Sequence, residues 1–141
     1  MYYTKRIQKD GCEGDVLAMR KHEREESLLT LVNEVSTLMN TEETERLVWN
    51  GSFIDLMEAL HTAYVFGNLH DEQGQPYMFK EIVSHVCRLF AHPVPHNPTA
   101  IASRGRYRKG VKQLSFFDRY CLLRHNDKGY QPLLHLVSKA P

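Results

Sequence analysis

The sequence predicts a mainly α fold, a helical bundle containing a helix-turn-helix-like unit. Three observations predict it. Apolar residues recur about every 3.6 positions in three separate stretches, 28–39, 53–65 and 79–90. Helix start and stop chemistry lies between them, at Asn50-Gly51-Ser52, Gly67-Asn68 and Asn97-Pro98. After the third stretch, a proline-rich turn leads into an arginine-rich segment, the plan by which two joined helices offer the second to a DNA groove.

Residues 1–14 lack apolar spacing and carry Gly11 and Gly14, so they read as a loosely held arm with a short strand from Tyr2 to Ile7. The first helix is expected from about Asp15 to Asn40, where Leu28, Leu31, Val32, Val35, Leu38 and Met39 share one face. Glu23, Glu25 and Glu26 then lie toward solvent. Glu42, Glu43 and Glu45 read as a solvated first turn, and Trp49 as an apolar staple at a helix entry. Ser52 with Asp55 approximates a capping box, and it opens a helix whose stripe is Phe53, Leu56, Met57, Leu60, Tyr64 and Val65. Gly67-Asn68 closes it, and the run from Asp71 to Pro76 has turn chemistry.

The third helix fits Met78 to Phe90 or Ala91, with Phe79, Ile82, Val83, Val86, Leu89 and Phe90 inward. It stops against His92-Pro93-Val94-Pro95, since closely spaced prolines cannot continue a helix. Asn97-Pro98 then caps a fourth helix running to about Lys109 and ending at Gly110. The fifth fits Ser115 to His125 with Phe116, Phe117, Tyr120, Cys121 and Leu123. The tail from Tyr130, carrying Leu133, Leu134, Leu136 and Val137, suits a short helix or a strand.

The chain has 141 residues, 42% of them hydrophobic and 25% charged, enough to close one core without staples. Cys12, Cys87 and Cys121 are odd in number and widely spaced, which argues against a disulfide framework. No signal-like apolar stretch follows Lys5-Arg6, and a membrane span needs about 20 apolar residues, so a soluble, cytoplasmic protein is expected. Charge is segregated. Residues 1–96 hold 9 Lys+Arg against 15 Asp+Glu, a net of −6, while residues 97–141 hold 9 against 2, a net of +7. A strongly basic C-terminal third favours a polyanionic partner; pairing with the acidic part is the plainer account.

His85, Cys87, His92 and His96 invite a metal, but Pro93 and Pro95 part the last two, and His85 and Cys87 point to opposite sides of a helix. The better account is a buried cysteine and surface histidines, with no metal and no cofactor. His61 and Tyr64 read as core-edge residues. No nucleophile signature, G-x-G-x-x-G or P-loop is present, so the chain is not expected to be an enzyme.

The order Leu47-Val48-Trp49-Asn50-Gly51-Ser52, Leu56-Met57-Glu58-Ala59-Leu60-His61 and Val65-Phe66-Gly67-Asn68 resembles the C-terminal domain of the RteC family. So do Lys80-Glu81-Ile82, Phe90, Arg106-Tyr107-Arg108-Lys109 and Phe117-Asp118, and the resemblance spans roughly residues 47–127. It departs in a longer insert from Leu69 to Tyr77 and in Asn50, where a threonine is typical. The resemblance implies a winged-helix DNA-binding regulator carried on conjugative transposons, acting on genes for element excision.

The expectation is therefore an N-terminal arm and helix over 1–46 joined compactly to a winged-helix-like DNA-binding domain over 47–141. Its partner is double-stranded DNA. Thr99, Ser103, Arg104, Arg106, Arg108, Lys109 and Lys112 are the expected contacts, because Arg forks grip guanine edges or phosphates bidentately. The alternative is a non-enzymatic helical interaction module, an adaptor or a homodimer using the Leu28–Met39 face as its seam.

Overall fold

The computed structural model describes residues 9–107 and 114–141, with side chains from Arg20 onward. Six helices and two short strands make up these residues: α1 (Lys9–Met39), β1 (Leu47–Trp49), α2 (Phe53–Phe66), α3 (Phe79–Leu89), α4 (Pro98–Arg106), α5 (Phe116–Asn126), α6 (Pro132–His135) and β2 (Val137–Lys139). The fold is mainly α, as the periodicity predicts.

Helix α1 starts earlier than expected and runs through Gly11 and Gly14. Each glycine costs about 1 kcal/mol inside a helix, a penalty that an already nucleated helix can absorb. The strand expected from Tyr2 to Ile7 lies outside the described residues. Leu31, Val32, Val35 and Leu38 are buried, with Leu28 and Met39 packed against them. This face lies inside the chain's own core, against α2, α3, α5 and α6, and is not a free dimer seam.

Local chemistry fixes most helix starts. Ser52 Oγ accepts the Asp55 N–H at 3.1 Å, Asn97 Oδ1 accepts the Ala100 N–H at 3.2 Å, and Ser115 Oγ accepts the Asp118 N–H at 3.2 Å. Only half of the box at Ser52 forms, because the Asp55 carboxylate turns to Arg119 at 2.7 Å. Pro98 occupies the first turn of α4. Gly67 and Asn68 leave α2 at φ 92° and 70°. Between α2 and α3, Asp71 Oδ1 accepts the N–H groups of Gln73 and Gln75, each at 2.9 Å.

Several elements differ from the expectation. Residues 42–45 form turns rather than a helix start. Leu47–Trp49 is a strand whose partner is the tail: Leu47 faces Lys139, Val48 faces Ser138 and Trp49 faces Val137, antiparallel. The tail therefore supplies both a short helix and a strand. At the entry to α2, Trp49 Nε1 donates to the Ser52 carbonyl at 2.9 Å, and its ring packs near Phe90 and covers Gly51. Val65 at the end of α2 and Leu123 on α5 are exposed, and Tyr64 is partly so, its ring 5.5 Å from that of Phe79.

The third and fourth helices do not form the expected close pair. Helix α4 packs along α2, which Ala102 and Gly105 allow by bringing the backbones together. A Cβ at Gly105 would sit 2.9 Å from Ile54 Cγ2 and 3.0 Å from Glu58 Oε1. The six residues from Ala91 to His96 give the chain enough reach to carry α4 past α3 onto that surface.

Two carboxylates at the centre close the bundle. Glu58, 1% exposed, reaches from α2 to the start of α5, where Oε1 and Oε2 accept the Phe116 and Phe117 N–H groups at 2.9 Å each. Glu34, also 1% exposed, accepts the Leu134 N–H of α6 at 2.7 Å and the Tyr120 hydroxyl. An anion suits the Glu58 position because the N-terminus of α5 exposes unpaired N–H groups and positive dipole charge.

Candidate nucleic-acid interface

The face of α4 opposite Ala102 and Gly105 looks outward. At about 100° per residue, Thr99, Ser103, Arg104 and Tyr107 fall on that arc. Thr99 and Arg104 are exposed, Ser103 is half-buried, and Tyr107 is 66% exposed. Among the described residues Arg104 has neither an ion pair nor a hydrogen-bonded side-chain partner. Thr99 and Ser103, about 40° apart, bring hydroxyls, which can donate or accept, to one side of Arg104.

Arg106 departs from the expectation of a guanidinium standing in water. It lies at the edge of this arc, half-buried, and donates from one terminal nitrogen to His61 Nδ1 on α2. The close Ala102–Gly105 contact carries the Arg106 Cα within reach of that ring. Arg108, Lys109 and Lys112 lie outside the described residues.

The other arginines of the basic third are also engaged. Arg119 binds Asp55 at 2.7 Å and the Leu114 carbonyl at 3.3 Å, and its guanidinium lies 5.7 Å from the Phe116 ring centroid. Arg124 donates to Ser27 Oγ at 3.2 Å and to the Lys128 carbonyl at 2.7 Å, which ties α5 to α1. Arg24 of α1 reaches Asp118 at 3.1 Å and stacks over Phe117. Part of the segregated charge is thus neutralised inside the fold. The basic surface contributed by described residues narrows to Arg104, with Lys128 and Lys139 exposed elsewhere.

Histidines hold structural positions that sequence reasoning did not assign. His85 is not a surface histidine: its Nε2 lies 3.1 Å from the Leu38 carbonyl and 3.0 Å from that of Thr41, and its Nδ1 lies 3.2 Å from Glu43. It closes the C-terminus of α1, where carbonyls lack intrahelical donors. Arg88 joins the same Glu43 at 2.9 Å, and these contacts hold the Glu43 carboxyl below the usual range. His92 stacks on Phe53 at 3.9 Å. Burial raises the Cys87 thiol to about 11, so it stays a protonated core residue. Among the described residues no three His, Cys, Asp or Glu side chains converge as a metal set.

Sequence reasoning missed His61 as the partner of Arg106 and Tyr107 as part of the outward arc. No local pattern marks the first, since 45 residues separate the pair. The second follows from helical spacing once Ala102 and Gly105 are known to be the buried side.

A shallow groove of about 630 Å³ lies between α1 and α5, lined in part by Arg20, Leu114, Cys121 and Leu122. It is bridged by Arg24–Asp118 and by Glu23–His125 at 2.7 Å. No described helix is long and apolar enough to cross a membrane.

Compared with protein-family models, with curated proteins and with solved structures, the chain finds no match in any of the three.

Proposed function

We propose that this chain is a DNA-binding regulatory protein of a mobile genetic element, with α4 as the element presented to the duplex. The observation that carries the reading is the outward arc of α4, where Thr99 and Ser103 lie to one side of an exposed Arg104 that has no carboxylate partner among the described residues. Hydroxyls and a free guanidinium are the groups that meet phosphates and base edges. The net of +7 over residues 97–141, and the RteC-like order of residues 47–127, support the same reading. Arg108, Lys109 and Lys112 follow directly in sequence and extend the proposed contact set.

The reading predicts a salt-dependent gel shift on element-derived duplex DNA. Arg104→Ala is expected to weaken binding and to lower the slope of log K against log salt by about one, with the far-UV circular dichroism unchanged. Arg104→Ala with Arg108→Ala is expected to collapse the shift. Absence of a shift on any duplex at low salt would defeat the proposal.

A helical interaction module is the second reading, favoured by the α1–α5 groove and by the exposed Leu114 and Leu122 that line it. It predicts a protein complex or a dimer in light scattering, lost on Leu122→Glu, together with no affinity for DNA.

A further inference from the structure

Arg104, Arg106, Arg119 and Arg124 are the described arginines of the basic third, and their partners differ in kind. Arg119 is held by a carboxylate and Arg124 by a hydroxyl and a carbonyl, groups that accept hydrogen bonds throughout the neutral and mildly acid range. Arg106 alone among them is held by an imidazole. A guanidinium has only donors, so His61 Nδ1 must supply a lone pair, which requires a neutral ring with its proton on Nε2. A second proton would place an N–H and a positive charge directly against the guanidinium.

The surroundings offer little to offset that charge. From α3 the facing residue is Phe79, edge-on at 4.9 Å between ring centroids; from α4 it is Arg106. On α2 itself the neighbours are Tyr64, at 6.1 Å, and one turn earlier Glu58, whose oxygens are directed to the N–H groups of α5. Burial, followed by the charge of Arg106, holds the His61 imidazole below its usual range.

We propose that His61 is a proton-operated latch on Arg106, which draws the guanidinium onto α2 while neutral and releases it to the outward arc of α4 when protonated. Arg106 stands about 20° around the helix from Thr99 and about 160° from Arg104, so a freed side chain joins Thr99 and Ser103 on the flank of α4 away from Arg104. Acidification thereby adds a free guanidinium beside Thr99 on the helix proposed to meet DNA. The latch rests on the DNA-binding reading for its purpose only; its existence is a matter of the His61–Arg106 contact.

The test compares the full-length chain with His61→Gln, whose amide oxygen accepts from Arg106 at every pH. Amide-exchange protection across α4 is measured in steps from about pH 7.5 to about pH 4, a span carried well below an ordinary imidazole midpoint because His61 is held lower. The ratio of the two proteins at each pH cancels intrinsic exchange. Protection of the parent chain is expected to fall roughly tenfold relative to the variant on acidification, the loss of one hydrogen bond involving a charged group. An equal loss in both, or none in the parent, overturns the latch. Arg106→Met provides a check that does not depend on the glutamine variant folding: the His61 imidazole midpoint, followed by NMR, is expected to rise, and an unchanged midpoint counts against the contact. Fluorescence anisotropy with a short mixed-sequence duplex then separates the two claims. Tighter binding by the parent at the lower pH, absent in His61→Gln, supports both. A protection switch without duplex binding at any pH keeps the latch and removes the DNA reading.

Discussion

Replacing Glu58 by glutamine tests whether a buried carboxylate, rather than the local serine cap, fixes the start of α5. Both Glu58 oxygens accept backbone N–H groups, at 2.9 Å each. A glutamine side chain keeps one acceptor oxygen and turns its NH₂ toward the other N–H, so two donors face each other in a site 1% exposed. Loss of one bond to a charged acceptor costs about 1.5–3 kcal/mol. Loss of the anion at a helix N-terminus adds about 0.3–1 kcal/mol. The expected sum is about 2–4 kcal/mol, below the roughly 5–15 kcal/mol that holds a typical domain together, so the variant still folds. Urea unfolding followed by circular dichroism reads this directly. With a slope of about 2 kcal/mol per molar, the midpoint is expected to drop by about 1–2 M. A drop smaller than about 0.3 M would show that Ser115 alone caps α5 and that the Glu58 bridge contributes nothing.

Glu34 is expected to behave in the opposite way. Burial pushes its carboxyl above the ordinary 4.5, despite the bonds from Tyr120 and Leu134 that oppose the shift. The native state therefore binds this proton more tightly than the unfolded chain. The associated stability is fully present below pH 4.5 and is lost as pH rises through the native midpoint. Glu34→Gln is expected to flatten that decline and to change stability at neutral pH by no more than about 1 kcal/mol, because the amide can accept from Leu134 and donate to Tyr120. Thermal unfolding across a pH series checks it, and a loss above about 3 kcal/mol at neutral pH refutes it. Ala91 sits at φ 52°, where the His92 N–H bonds the Cys87 carbonyl at 2.8 Å and the Ala91 N–H bonds that of Arg88 at 3.2 Å. These bonds form a left-handed helix stop that favours glycine. Ala91→Gly is expected to raise stability by about 0.5–1 kcal/mol in chemical unfolding, and a loss of stability would contradict the strain argument.

Helix bodies and starts were legible in the sequence because their causes are local. The stripe Leu31, Val32, Val35 and Leu38 and the caps at Ser52, Asn97 and Ser115 each act within a few residues. The strand Leu47–Trp49 was not legible: three residues carry no period, and their partner lies 88 or more positions away at Val137–Lys139. The candidate interface divides the same way. Thr99, Ser103 and Arg104 could be placed on α4 from spacing, whereas the burial of Arg106 against His61 depends on which helix α4 meets.

By itself the sequence determined a chain of helices, where most begin and end, and a C-terminal third of strongly positive charge. Tertiary structure decided which charges remain available. Asp55 took Arg119, Ser27 took Arg124 and His61 took Arg106, across 64, 97 and 45 residues respectively. Such pairings depend on how helices cross, and crossing is set by whole packed faces such as Ala102–Gly105 on α2, which no short stretch of sequence encodes.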